Sequence, residues 1–233
     1  MAVDKIKEKR ELDKKIVGEF AAKLVKDGMV IGLGTGSTTA YAIKKIGGRI
    51  RREKISVLGI ATSHQAEMMA LSSGIPLTTL EEHPVVDLTI DGADQVDPNL
   101  HLIKGGGGAH TKEKIVALAS KRFVVVVDER KVVKVLSRAV PLEILPFARA
   151  FVEKQIARLG GSAHLRMAKA EKAGPIISDN GNFIVDADFG EIRDAKKLDR
   201  DLNQIEGIIA HGVFTIKNEV YIGKNGKVVQ LKK

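Results

Sequence analysis

Short apolar runs that break at glycine, hydroxyl or acidic residues, each followed by a helical periodicity, recur through the first half of the chain and limit what it can fold into. Met29-Val-Ile-Gly-Leu33 runs into Gly34-Thr-Gly-Ser-Thr38 and then a helical stretch ending at Gly47-Gly48. Ile55 to Ile60 repeats the unit: Thr62-Ser-His-Gln65 has the form of a capping box opening a helix that stops near Gly74. Val86-Asp-Leu-Thr-Ile90 and Phe123-Val-Val-Val-Val127 are further buried-type strands, with a helix from about Lys112 to Ser120 between them. Ahead of the first strand, Leu12, Ile16, Val17, Phe20, Ala21, Leu24 and Val25 recur at helical spacing and predict a helix over Leu12 to Lys26. This alternation predicts a parallel α/β sheet covered on both faces.

Beyond Ser137 the pattern changes. An extended Pro141 to Pro146, a helix over Phe147 to Leu159, a strand around Leu165, a hairpin through Ser178-Asp-Asn-Gly181, a helix from Asp194 to Ile205 and a strand Ile208 to Phe214 follow in turn. That is the β-α-β-β-α-β order of a ferredoxin-like module. The tail, a hairpin around Asn225-Gly226, is placed back on the first sheet. The expected division is therefore 1–137 with 217–233 for the parallel-sheet domain and 138–216 for the second.

The 233 residues include no Cys, which excludes thiol nucleophiles, disulfides and cysteine-ligated metal. No apolar stretch reaches the length of a membrane span, and the charged N-terminus lacks a signal-peptide core, so the expectation is a cytoplasmic protein without membrane partners. The formal charge of +9 divides between Lys44 to Lys54 and Lys217 to Lys233, the rest being balanced. With no Trp and only Tyr41 and Tyr221 beside the phenylalanines, stacking platforms for bases are few, and no nucleic-acid partner is expected.

In open α/β sheets ligands bind beyond the carboxyl ends of the strands, and three such ends are rich in chemistry. Gly34-Thr-Gly-Ser-Thr38 has glycines and hydroxyls at a helix N-terminus, either a phosphate cradle or a tight turn capped by Ser37 or Thr38. It lacks the lysine of a P-loop and the third glycine of a dinucleotide fingerprint. Asp91-Gly-Ala-Asp94 places two carboxylates at a buried strand end, as reactive groups or as Asx turns. Lys104-Gly-Gly-Gly-Gly108 enters a helix bearing Glu113, and four glycines in a row favour close backbone approach to a ligand. Glu113 itself also suits the helix dipole. Asp128-Glu-Arg-Lys131 forms a fourth, charged strand end. His110 either touches substrate or bonds to solvent or backbone, and the six histidines have no metal-ligand spacing. The inventory suits metal-free proton transfer on a phosphorylated carbonyl compound.

Gly34-Thr-Gly-Ser-Thr38, Thr62-Ser-His-Gln65, Asp91-Gly-Ala-Asp94, Lys104-Gly-Gly-Gly-Gly108 with Glu113, and Asp179-Asn-Gly-Asn182 together resemble the type A ribose-5-phosphate isomerases, in order and spacing over essentially the whole chain. The resemblance implies a Rossmann-like domain with an inserted ferredoxin-like α+β domain. It also implies cofactor-free interconversion of ribose 5-phosphate and ribulose 5-phosphate in the non-oxidative pentose phosphate pathway, and a homo-oligomer, dimer or tetramer. By position, Glu113 matches the general base that acts through a cis-enediolate. Asp91 and Asp94 match the acidic pair on the sugar hydroxyls, and Lys104 the lysine beside the oxyanion. Thr35, Gly36, Ser37 and Thr38 match the phosphate-side loop, and Gly92 and Ala93 lie between the two aspartates. Gly105, Gly106 and Gly107 match the backbone around the substrate, and Lys131 a further substrate lysine. Lys14 stands where some relatives have a phosphate-binding lysine, or is a surface helix lysine. His110-Thr111 departs from the apolar or small residues of that family. The alternatives are a sugar-phosphate sensor without catalysis, or another sugar-phosphate isomerase or deaminase on the same scaffold.

Overall fold

The computed structural model describes residues 2–168 and 173–232. Met1, residues 169–172 and Lys233, which the expected domain ranges take in, lie outside them. In chain order the elements begin with α1 (Ala2–Ala22), β1 (Val30–Leu33), α2 (Thr39–Glu53), β2 (Leu58–Ala61), α3 (His64–Ser73) and β3 (Leu88–Asp91). Next come β4 (Gln95–Val96), β5 (Leu102–Ile103), α4 (His110–Leu118), β6 (Phe123–Asp128), β7 (Val140–Ile144) and α5 (Arg149–Arg158). The last are β8 (Ser162–Leu165), β9 (Phe183–Asp188), α6 (Ala195–Leu202), β10 (Ile208–His211), β11 (Val213–Phe214), β12 (Glu219–Lys224) and β13 (Lys227–Leu231).

The chain forms two compact units, one of Met1–Ala93, Ile115–Val132 and Ile216–Lys233, the other of Asp94–Lys114 and Val133–Thr215. The expected ranges put residues 94–114 and 133–137 with the parallel sheet and Ile216 with the second domain; by compactness the former group with the second unit and Ile216 with the first, and the division falls inside α4.

In the first unit a six-stranded sheet runs β13-β12-β6-β3-β1-β2, parallel except for the β12–β13 hairpin. Its central strands β3 and β6 are buried along their whole length, and β1 nearly so, because both faces are covered. Ile31, Leu33, Val124 and Val126 pack with Val17 and Ala21 of α1, Ile43 and Ile46 of α2 and Ala66 and Ala70 of α3. Ile60, Val86 and Val116 form a smaller second cluster. Helix α1 starts ahead of the predicted Leu12, since Lys, Glu and Arg are themselves good helix formers. At α3 the cap is Ser63, whose Oγ accepts from the Ala66 amide at 3.1 Å, while Thr62 Oγ1 donates to the Leu33 carbonyl at 3.0 Å. The basic segment in α2 serves helix ends: Arg49 donates to the Ala22 and Val25 carbonyls, each at 2.7 Å, and Arg51 to the Ser73 carbonyl at 2.8 Å.

In the second unit β7-α5-β8-β9-α6-β10 folds into an antiparallel sheet ordered β10-β7-β9-β8, the ferredoxin-like arrangement. Its core is Leu136, Val140, Leu142, Ile144, Val152, Ile156, Val185 and Leu202. The single strand predicted over Ile208 to Phe214 is two. Gly212 bonds to the Pro141 carbonyl through its N–H at 2.7 Å and to the Lys104 amide through its carbonyl at 2.8 Å, so β10 stays with β7 while β11 turns to pair β5 in a small sheet β11-β5-β4.

Ile31 is fully buried in β1, between β3 and β2. Ile31→Ala is expected to lower the unfolding free energy by about 2–5 kcal/mol, read from urea denaturation at unchanged m-value.

Candidate active site

The parallel strands of the first unit end on a common edge. Beyond β1 the chain passes so close to β3 that a Cβ on Gly34 would lie 2.2 Å from Asp91 Oδ1 and 2.6 Å from Asp91 Cα. No other residue fits without moving a strand end. Asp91 is fully buried as the last residue of β3, and its Oδ1 accepts from the Gly92 amide at 2.7 Å and the Thr35 amide at 3.2 Å. The carboxylate thus fixes the start of the Gly34–Thr38 loop. Thr35 Oγ1 lies 2.6 Å from Ser63 Oγ and 3.0 Å from Thr62 Oγ1, joining the ends of β1 and β2. Gly36 takes φ 122°, and Thr38, at the N-cap of α2, makes no side-chain capping bond. Ser37 is exposed at this helix N-terminus. Past β6, Lys131 closes a 3-10 turn (Glu129–Lys131) and is half-buried. Lys14 pairs with Glu11 at 2.7 Å, with Tyr41 on the same carboxylate.

In the second unit the glycine loop and the first turn of α4 hold the remaining predicted residues. Lys104 and Glu113 are nearly sealed from water, and Lys104 Nζ sits 3.2 Å from Glu113 Oε2. The Phe214 ring lies 5.6 Å from the same ammonium, a cation–π partner on its apolar side. Asp94, half-buried, accepts from the Gly106 amide at 2.7 Å, and a Cβ on Gly106 would stand 2.8 Å from Asp94 Oδ1. Glycine at that position is a condition of the contact. A Cβ on Gly107 would meet nothing within 4 Å, so the loop's outer side is open.

Three features of the second unit escape a reading of the sequence, and the first of them holds this loop. Arg166 Nη1 donates to the Gly105 and Gly106 carbonyls, each at 3.1 Å, and Arg166 also forks onto Asp186. Buried Glu143 on β7 accepts from Thr111, Ser178, Asn180 and Asn182. Half-buried Lys114 and Asp199 form a cluster with fully buried His211, with His211 Nε2 3.2 Å and Lys114 Nζ 3.9 Å from Asp199 Oδ1 and Lys114 also over Phe214. Burial pushes Lys114 down to about 8 against the pull of Asp199. Burial works to raise Asp199, but hydrogen bonds from His211 and Thr215 and the Lys114 charge overcome it and hold that carboxyl at about 2. Glu143 carried one signal, a charge inside the apolar run of β7; Arg166 and Asp199 carried none, because only folding brings their partners to them.

Of the readings weighed for His110 the structure shows the backbone-bonded one: the ring is fully buried with Nε2 3.4 Å from the Ala210 carbonyl. That partner puts the proton on Nε2 and leaves Nδ1 against Gly105. Burial drives its pKa from 6.5 down to about 3, with Glu143 opposing.

The family model for ribose 5-phosphate isomerase A (phosphoriboisomerase A) matches residues 58–227. The chain is 51% identical over 219 residues to the ribose-5-phosphate isomerase A of Methanosarcina acetivorans, covering 94% of this chain and 93% of that one. With the Methanocaldococcus jannaschii enzyme of the same name it shares 48% over 220 residues, 93% and 96% of the two chains. The solved structure of ribose 5-phosphate isomerase A from M. jannaschii superposes at a TM-score of 0.90 with 47% identity, covering 95% of this chain and 98% of that one. A D-ribose-5-phosphate isomerase in complex with phospho-erythronic acid superposes at 0.91 with 44% identity, over 95% and 98%.

Because folded His110 stays neutral to about 3 while the unfolded chain takes up the proton below 6.5, acid favours unfolding across that interval. Stability is expected to fall as pH drops from 6.5, by up to about 1.4 kcal/mol per pH unit from this group. His211, also lowered, first by burial, adds in the same direction. Urea unfolding of His110→Gln at neutral pH and near pH 5 checks it: the variant should lose markedly less stability on acidification than the parent.

Proposed function

The chain belongs to the ribose 5-phosphate isomerase A family, and from that premise we propose how its own residues interconvert D-ribose 5-phosphate and D-ribulose 5-phosphate. The observation that carries the reading is the sealed Lys104–Glu113 pair, 3.2 Å apart at the start of a helix and beside an open glycine loop. Glu113 takes the C2 proton of the open-chain aldose. The C–H electrons form the C1–C2 double bond of a cis-enediolate, and the carbonyl electrons move to O1, where Lys104 neutralises the charge. Return of the proton to C1, with transfer of the O2 proton to O1, gives the ketose.

While no oxyanion is present, the Lys104 ammonium is taken up by Glu113. As charge grows on the substrate oxygen it competes for the ammonium, and the carboxylate becomes a stronger base as it receives the proton. Asp91 and Asp94 take the sugar hydroxyls, with Gly92 and Ala93 as the backbone between them. The Thr35–Thr38 loop takes the phosphate through amides and hydroxyls, Gly105–Gly107 line the sugar, and Lys131 is a further cation for it. Support for the substrate class comes from the relative that binds phospho-erythronic acid, a phosphorylated sugar acid.

We also propose a homo-oligomer. In the second unit Leu145, Phe147, Phe151 and Ile209 are exposed, with Phe147 fully so, an apolar group that a partner copy would cover. The proposed compartment is the cytoplasm. No described helix is long and apolar enough to cross a membrane.

Ribose 5-phosphate incubated with the protein and a chelator is expected to yield ribulose 5-phosphate. Glu113→Gln should lower kcat by about 10²–10⁴, and Lys104→Met by about 10²–10³. Full activity in Glu113→Gln would remove that residue from the role of base.

A further inference from the structure

Glu143 takes no part in the chemistry above, yet its carboxylate is completely buried in β7. Neutral packing would fill the same space without desolvating a charge. What surrounds it is a full set of donors from two other segments. Oε1 accepts from Ser178 Oγ and Asn182 Nδ2, each at 2.8 Å, and Asn180 Nδ2 reaches both oxygens at 3.0 and 3.1 Å. Oε2 also accepts from Thr111 Oγ1, the second residue of α4. Burial works to raise its pKa, but the bonds from Thr111, Asn182, Ser178 and Asn180 outweigh it and hold the group ionised. Neighbouring His110 is neutral and does not discharge it.

The carboxylate therefore joins the turn at residues 178–182 to a helix whose fourth residue is Glu113. Apolar packing lets a short helix rotate or slide by fractions of an ångström; a charge-assisted bond from a side chain in its first turn fixes both movements. We propose that Glu143 is a positioning residue for the isomerisation, acting through the Thr111 hydroxyl to set where α4 holds the Glu113 carboxylate. This rests on Glu113 as the base.

The test is steady-state kinetics of Thr111→Val, Thr111→Ser and Glu143→Gln with ribose 5-phosphate, beside thermal melting and the Glu113→Gln control. Thr111→Val keeps the shape and removes the donor, so kcat should fall about tenfold or more with KM within about twofold, as a misplaced base predicts. Thr111→Ser should regain most of the loss, and Glu143→Gln should show the same split. Wild-type kcat in Thr111→Val and Glu143→Gln, with only the melting temperature lowered, overturns the proposal, as does a loss confined to KM. If Thr111→Val does not fold, Asn182→Ala removes one donor from the far oxygen and should lower kcat about threefold at constant KM; an unchanged kcat there overturns it too. Full activity in Glu113→Gln would refute the base itself, a separate outcome.

Discussion

An ammonium and a carboxylate held 3.2 Å apart and almost out of water, as Lys104 and Glu113 are, set the terms for the structure around them. Desolvating two such charges costs several kcal/mol each, and their attraction repays it only in good geometry. That geometry has to come from rigid neighbours. The Lys104 amide is bonded to the Gly212 carbonyl, the Glu113 amide to the carbonyl of Ala109 just ahead of α4, and Phe214 covers the ammonium. Each support belongs to the second unit, so the pair, the loop and the ferredoxin-like sheet are one construction. The chain division inside α4 follows from this: the first turn of that helix serves the pair, while Val116 farther along packs with Ile60 and Val86.

The glycine loop illustrates why such a site needs a second layer. Glycines lose the most conformational freedom on ordering, and four in succession would not stay in one shape unaided. Arg166 holds the carbonyls of Gly105 and Gly106, Asp94 holds the Gly106 amide, and Asp186 holds Arg166. These bonds fix Gly105 and Gly106, while a Cβ on Gly107 would meet nothing within 4 Å. Rigidity and access are therefore obtained together, the combination that preorganised catalysis requires.

The parts legible in the sequence were those written in local pattern. The apolar strands, the glycine breaks and the change of rhythm after Ser137 gave the α/β sheet and the β-α-β-β-α-β module, because period and turn chemistry act over a few residues. Asp91, Lys104 and Glu113 stood out as candidates because strand ends and helix starts are recognisable places. What was not legible depends on distance along the chain: Arg166 reaches Gly105 across 61 residues, and Asp199 meets Lys114 only in the fold. The strand split at Gly212 was hidden for a related reason. Its cause is the pair of bonds from Gly212 to Pro141 and Lys104, both distant in the chain. At Thr62-Ser63 the motif was seen but its parts exchanged, since the tertiary bond from Thr62 to Leu33 leaves capping to Ser63.

Charge follows the same division between local and distant causes. The formal +9 of the whole chain lies, in sequence, in two segments, one of them the cluster in α2, and gives no reason to expect a nucleic-acid partner. In the fold, Arg49 and Arg51 of that cluster lie on carbonyls of helix ends, where the negative pole of the dipole and unpaired acceptors make a guanidinium favourable. Those arginines answer an intramolecular requirement. A cation can act on a substrate charge strongly only where water does not screen it. Among the groups at the second unit's loop that condition is met by Lys104, sealed and held by the Glu113 carboxylate. Net charge therefore carries little information about this protein's chemistry, whereas the burial of one lysine carries a great deal.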